Sequence, residues 1–341
     1  MLRYLTAGES HGETITGILD GFPAGVPVTA AHIAAQLRRR RLAPGRGPRQ
    51  AYETDAVSIT AGVYNGLTTG APIAVSLKNS KPLGKLPFSS TPRPGHADLA
   101  GMLKYGILNA ALIRERASAR ETAARVALGT FALRLHELLG IRFRSRVVSL
   151  GADHAPTPKK ISAALAAARR AGDTLGGVFE LDVCGLPAGL GGYSQGDLRL
   201  GSRLAAALLA INSVKGFAVG GGFGLADLGG AQAAKEPLLS GGLDGGMTNG
   251  GVLTLRCAVK PVPGLAAGAQ SVDLKTFKKT AVKSLTSDTT AVFAAAVIAE
   301  HAAALELAAA VLEKFGGDSL AEIQPRLSEW RRKTGQVLDR L

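Results

Sequence analysis

Arg116-Ala117-Ser118-Ala119-Arg120-Glu121-Thr122, inside a strongly helical stretch at 108–140, is the segment on which the fold turns. Ser118 and Glu121 have the spacing of a capping box, in which serine and glutamate satisfy the orphan amides of a new helix. Two readings stand. If a helix restarts at Ser118, then Arg116, Ala117 and Ser118 lie at its electropositive end and can all touch one ligand. If one helix runs through, three consecutive residues fan over about 200° and cannot.

Upstream lies the island Arg93-Pro94-Gly95-His96-Ala97-Asp98, a histidine among guanidinium groups on a tight turn. A second histidine sits in Gly8-Glu9-Ser10-His11-Gly12, where glycines let the backbone come close to a ligand. Of the six histidines, only these two have such settings. His32, His136, His154 and His301 read as structural. His11 and His96 read as acids, able to take a proton when an anionic substrate arrives and to give it to a leaving group. Metal-ligand spacing is absent, and Cys184 and Cys257 make no disulfide framework.

Around these motifs the chain reads as α+β. Strands are predicted at 3–6, 14–20, near 56–63 and 72–77, 141–151, 178–185 and 251–259. Helices are predicted at about 30–41, with Thr29 as N-cap, and at 158–172, 198–211, 289–315 and 318–339. The first helix ends in Arg38-Arg39-Arg40-Arg41, and cations suit a helix C-terminus. Pro44-Gly45-Arg46-Gly47-Pro48-Arg49 must be loop, and 78–95 reads as a mobile one. Glycines cluster at 220–224 and 241–246. Strands and helices fall into two similar successions without a legible short repeat. No linker separates them, so one large domain over 1–341 is expected.

The 341 residues are 46% hydrophobic, enough for a substantial core, and carry a net charge of +14. Such a charge asks for an anionic partner. Aromatics at 5% are poor material for stacking on bases, which argues against nucleic acid. No uninterrupted apolar run reaches the roughly eighteen residues of a membrane span, and no secretory signal is expected at the start. A cytoplasmic protein binding a multiply charged metabolite is the expectation. Asp288 reads as an N-cap or first-turn carboxylate that also serves as a base. Lys260-Pro261-Val262-Pro263-Gly264 is a cationic loop fit for a phosphate. The P-loop, GxGxxG, HExxH and GxSxG templates fail. The residues alone reach a basic pocket with two histidine acids and an anionic substrate, not a reaction.

Taken in order, the three motifs above resemble the chorismate synthase family along nearly the whole chain. Leu186-Pro187-Ala188-Gly189-Leu190-Gly191, Gly245-Gly246-Met247-Thr248-Asn249-Gly250 and Glu313-Lys314-Phe315-Gly316-Gly317-Asp318-Ser319 extend the resemblance. It implies a β-α-β sandwich built from two related halves and a homotetramer. It also implies conversion of 5-enolpyruvylshikimate 3-phosphate to chorismate and phosphate, with reduced FMN required and NADPH acting only indirectly, through an external reductant. The resemblance gives His11 protonation of the departing phosphate, His96 protonation of the reduced flavin and Asp288 a part in proton abstraction. Arg116, Ala117, Ser118, Asn212, Ser213, Gly245, Lys260 to Gly264 and the position of Thr286 match flavin contacts. Arg40, Arg46, Arg49, Arg93 and Arg120 match contacts to substrate or NADP. Departures fall at Gly221, Lys235, Ser240, Thr286 and Phe293, and they admit a second reading, a non-catalytic descendant that binds phosphorylated ligands.

Overall fold

Alternation of apolar and polar residues builds both sheets, because a strand turns successive side chains to opposite faces. The computed structural model describes residues 1–47, 53–266, 268–283 and 288–338. In the first half, β1 (Arg3–Ala7) and β2 (Thr14–Asp20) precede α1 (Ala30–Arg41). Next come β3 (Val57–Ala61), a small hairpin of β4 (Val63–Tyr64) and β5 (Leu67–Thr68), and β6 (Ile73–Lys78). The sheet is antiparallel in the order β1-β2-β6-β3. Ile15, Leu19, Ile73, Val75 and Leu77 form its buried face. Thr29 caps α1 as predicted, with His32 as its partner: the Thr29 N–H donates to His32 Nδ1 at 3.1 Å.

A pair of helices, α2 (Asp98–Tyr105) and α3 (Ala110–Ala117), then leads to a break. Ser118 is extended, with φ −65° and ψ 141°, and its Oγ accepts the Arg120 N–H at 3.2 Å. A 3₁₀ turn at Ala119–Glu121 opens α4 (Thr122–Leu138), so the helix restarts and the through-running alternative falls. The box closes on the serine side only. Glu121 instead accepts from Thr6 Oγ1 at 2.7 Å and Arg125 Nε at 3.0 Å.

The second half runs β7 (Arg142–Leu150), β8 (Asp153–His154), α5 (Pro158–Ala171), β9 (Gly177–Cys184), α6 (Leu200–Leu209) and β10 (Val214–Val219). Then follow the short α7 (Gly230–Ala233), a hairpin of β11 (Leu243–Asp244) and β12 (Met247–Thr248), and β13 (Leu253–Val259). A second hairpin, β14 (Ala269–Val272) with β15 (Lys279–Val282), precedes α8 (Val292–Phe315) and α9 (Leu320–Leu338). Its sheet is ordered β10-β13-β9-β7-β8. Read as β7-β9-β13-β10, that is the first sheet again, with α6 in the place of α1 and α8 in the place of α4.

The duplication extends to hydrogen bonds, and a repeat the sequence reading missed becomes visible. Gly21-Phe22-Pro23-Ala24-Gly25-Val26 answers to Gly185-Leu186-Pro187-Ala188-Gly189-Leu190. Thr68 Oγ1 accepts the Val26 N–H at 2.9 Å and donates to the Pro23 carbonyl at 2.6 Å. Thr248 Oγ1 accepts the Leu190 N–H at 2.8 Å and donates to the Pro187 carbonyl at 2.6 Å. Different lengths of chain separate the paired motifs in the two halves, so no fixed period reveals them. Also unforeseen were α2, β10 and the β14–β15 hairpin. Val214-Lys215-Gly216-Phe217-Ala218-Val219 carries a glycine and lacks a clean period of two, which hides β10.

Both sheets lie against the central helices α4 and α8, which are buried almost all round. They touch where Gly129 meets His301: a Cβ on Gly129 would stand 2.5 Å from His301 Cβ. By length and composition α8 passes for a membrane span, because Glu300 and Glu306, which interrupt its apolar run, are outweighed by alanine, valine and leucine. Its most apolar window is 83% buried inside the fold, as a core helix should be.

His136 and His301 are fully buried, their rings bonded to the carbonyls of Ala304 at 3.0 Å and Val297 at 2.7 Å. Burial pushes each down to about 4, with the carbonyl bond only partly offsetting it. The unfolded chain takes up these protons near pH 6.5 and the folded chain only near pH 4, so stability is lost as pH falls through that window. At pH 5 the expected loss is about 2 kcal/mol per histidine. Urea unfolding at pH 7 and pH 5 measures it. A variant carrying both His136→Gln and His301→Gln should lose most of that pH dependence, and equal slopes in the two proteins would refute the assignment.

Candidate active site

A cavity of about 770 Å³ opens where the two halves meet, and the duplication frames it. Arg40 and Arg46, at and after the end of α1, face Ala210, Asn212 and Ser213 after α6. Ser118 and Asp288 hold equivalent places, each four residues before the first residue of its helix, Thr122 of α4 and Val292 of α8. The halves brace each other crosswise. Thr289 N–H donates to the Gly45 carbonyl at 2.7 Å, while Asn212 Nδ2 donates to the Ala117 carbonyl at 3.3 Å.

His11 stands in the β1–β2 turn with Nδ1 2.8 Å from Glu115 Oε1 of α3. Arg120 shapes that turn from behind. Its Nε donates to Asn79 Oδ1 at 2.9 Å, and Asn79 Nδ2 donates to the carbonyls of Glu9 at 3.2 Å and Gly12 at 2.7 Å. With a further bond to Asp55, Arg120 is buried and does not line the cavity.

His96 reaches the same cavity from the island before α2. Burial first, then the neighbouring Arg93, lowers its pKa, so the ring is neutral at rest. Its Nδ1 lies 3.0 Å from the Pro94 carbonyl, which can only accept, so the proton sits there and Nε2 is the acceptor. Gly95 allows the island to dock. At φ 70°, a Cβ there would meet Pro263 at 2.8 Å, and Lys260 Nζ donates to the Gly95 carbonyl at 2.8 Å. Arg93 and Arg114 share the buried Asp98, with bonds of 3.0 and 2.7 Å. Burial alone would raise the Asp98 carboxyl, but those arginine bonds outweigh it and hold it below its ordinary value.

Asp288 does not cap α8, whose N-cap is Ala291. Instead it ties the two halves, accepting the Gly47 N–H at 2.6 Å and pairing with Arg46. Arg40 is buried at 2% exposure, donating from Nε to Thr122 Oγ1 at 3.0 Å and from Nη2 to the Ala119 carbonyl at 2.9 Å. Among the described residues its Nη1 finds no partner. Burial, with repulsion from Arg46 next, lowers its pKa to about 9 despite the charges of Asp55 and Asp288, so it stays charged at neutral pH without an ion pair among the described residues.

The structure thus gathers His11, Arg40, Arg46, Arg93, His96, Ala117, Ser118, Asn212, Ser213, Lys260, Val262, Pro263 and Asp288 around one cavity. Arg116, Gly245, Pro261 and Gly264 do not line it, and Arg116 donates to the Thr6 carbonyl at 2.8 Å. Arg49 and Thr286 lie outside the described residues. Sequence reasoning missed Arg114, Glu115 and Lys215, which do line it. Arg114 and Glu115 sit amid alternating charges in α3, a pattern that reads as solvated, and Lys215 lies in the unforeseen β10.

Fold and cavity together define a duplicated α+β protein with a basic pocket of a size for a small molecule. The chorismate synthase family model matches residues 2–312. The chorismate synthase of Mycobacterium avium (strain 104) is 41% identical over 391 aligned residues, covering 98% of each chain. That of Mycobacterium leprae (strain Br4923) is 42% identical over 387, covering 97% of this chain and 95% of that one. A crystal structure of a chorismate synthase superposes with a TM-score of 0.79 at 32% identity, covering 97% of this chain and 98% of that one. The chain belongs to the chorismate synthase family, a lyase of the shikimate route to aromatic compounds. An alignment of 391 positions exceeds the 341 residues here, so the relative carries insertions that this chain lacks.

Because Arg40 is buried, lines the cavity and makes no ion pair among the described residues, anion binding should depend on it. Inorganic phosphate should raise the melting temperature of the native protein and leave Arg40→Met unaffected. Without phosphate the variant should differ from the native protein by about 1 kcal/mol or less, since a buried, under-paired charge adds little stability. Equal phosphate protection in both proteins would place the anion elsewhere.

Proposed function

We propose that this chain converts 5-enolpyruvylshikimate 3-phosphate to chorismate and phosphate by a 1,4-elimination that requires reduced FMN. The observation that carries the reading is the convergence of His11, His96 and Asp288 on one cavity with Arg40, Arg46, Arg93, Arg114, Lys215 and Lys260. Six cations suit a substrate bearing two carboxylates and a phosphate. None of Gly221, Lys235, Ser240 and Phe293 lines the cavity, which favours the enzyme over a non-catalytic descendant.

The under-partnered Nη1 of Arg40 beside the Ser118 break fits a phosphate-bearing cofactor. Ala117, Ser118, Asn212, Ser213, Lys260, Val262 and Pro263 are the residues that would hold reduced FMN. When bound, reduced FMN lends electron density as phosphate leaves and assists removal of the C6 hydrogen. His11 gives its proton to the departing phosphate oxygen. His96, neutral at rest through burial and Arg93, takes a proton at Nε2 once an anion enters. Asp288 accepts a proton after its bond to Arg46 loosens, and the incoming anion competes for that guanidinium. We further read the protein as a cytoplasmic homotetramer with no nucleic-acid or membrane partner. Exposed Leu99, Leu103 and Leu112 on α2 and α3, with Leu5 and Ile18 on the first sheet, supply apolar surface for self-association.

The test is anaerobic turnover with dithionite-reduced FMN and substrate, following chorismate absorbance and free phosphate. His11→Ala and His96→Ala should each cut turnover at least about a hundredfold, the usual worth of a positioned acid. Normal turnover in either variant removes that histidine from the mechanism. NADPH with oxidised FMN should give little product until a separate flavin reductase is added, because the chain has no dinucleotide fingerprint. Robust NADPH-driven turnover by the pure protein overturns that part of the reading.

A further inference from the structure

We propose that Glu115 is a positioning residue for His11, fixing its tautomer and orientation so that proton exchange with the substrate runs through Nε2. The proposal rests on the reading of His11 as the acid, and it concerns a residue outside every motif that carries the family resemblance. Glu115 is 7% exposed on α3 and grips the His11 turn at three points. Its Oε2 accepts the His11 N–H at 2.7 Å, its Oε1 meets Nδ1 at 2.8 Å, and its carbonyl accepts the Ser10 N–H at 3.1 Å. A carboxyl is a far stronger acid than an imidazolium, so the shared proton belongs to Nδ1. The second nitrogen, Nε2, is then the one that takes and gives the catalytic proton, and the paired carboxylate steadies the imidazolium that results.

The charges around His11 make this pairing necessary. Arg40 and Arg46 face the cavity from α1 and its loop, Arg93 and Arg114 from the α2–α3 side, and Lys215 and Lys260 from the second half. The loop whose Leu83 N–H donates to the His11 carbonyl at 2.8 Å adds Lys81 and Lys85. His96 lines the same cavity, and Asp288 is paired with Arg46. Glu9 and Glu13 flank the turn but are exposed. All those cations oppose a charged imidazole, and Glu115 is the buried carboxylate in contact with it.

Nitrogen-15 NMR on histidine-labelled protein, with His11→Ala to assign the signal, tests the pair without any turnover. The wild type should show the Nδ1–H tautomer at His11. In Glu115→Gln the His11 midpoint should fall by about one pH unit, since a neutral amide replaces the opposite charge. In the same variant kcat should fall at least about tenfold with KM within about threefold, and the limb requiring protonated His11 should move to lower pH. Glu115→Asp keeps the charge and should recover part of the midpoint. An unchanged midpoint and tautomer in Glu115→Gln overturns the proposal, as does an Nε2–H tautomer in the wild type should that variant fail to fold. A shifted midpoint beside normal turnover in His11→Ala would keep the pair and overturn the acid role of His11 instead.

Discussion

The contact between α4 and α8 at Gly129 sets the geometry of everything else. Any side chain at that position would strike the Cβ and backbone of His301. The two helices therefore cross at close range, and alanine dominates α8 because both its faces are covered. Thr122 lies seven residues before the crossing and Val292 nine, about 10 and 14 Å along the axes. Both N-termini consequently reach the same cavity, each offering the positive end of a long helix. The close crossing that Gly129 permits thus accompanies a cleft at the meeting of the two halves, made basic by its arginines and lysines.

Duplication supplies the frame, and departures from it supply the chemistry. The two sheets share an order, and Thr68 and Thr248 hold their loops with matching bonds. At the cavity the halves differ. Ser118 stands before α4, where a hydroxyl leaves the helix end open to an anion. Asp288 stands before α8, where a carboxylate occupies the matching position and draws Arg46 across. The first half brings both histidines and most of the guanidinium groups, whereas the second brings Asn212, Ser213 and Lys260. A symmetric pocket offers equal ends to an unsymmetrical substrate, and the divergence of these positions removes that ambiguity.

What sequence revealed and what it hid follow from the range of the forces involved. Local signals were legible: the Thr29 cap and the glycine-flanked settings of His11 and His96 depend on neighbours a few residues away, whereas the Ser118 spacing left a restart and a through-running helix both open. Long-range partnerships were not. Glu115 lies 104 residues from His11, and Asp288 lies 242 from Arg46. Asp288 looked like a cap because an acid beside a helix start usually is one, but tertiary pairing overrode the local preference. Arg120 looked like a ligand for substrate, yet its charge is met by Asp55 and Glu53 while its Nε is bonded to Asn79. Nothing local distinguishes an arginine that meets a ligand from one that braces a turn.

Several of the groups that line the cavity are held by a carboxylate. Asp98 holds Arg93 and Arg114, Asp288 holds Arg46, and Glu115 holds His11. Side by side and unpaired, such cations would repel strongly in a partly desolvated site. Paired, they are kept in place and oriented, which lowers the ordering cost when substrate arrives. Arg40 differs, since its bonds run only to neutral oxygens and one nitrogen is left over. Burial and the neighbouring Arg46 lower its pKa, and an anion at the free nitrogen would act in the opposite direction. Arg40 therefore stands apart from the other cavity cations, at the foot of the helix whose restart shapes the site.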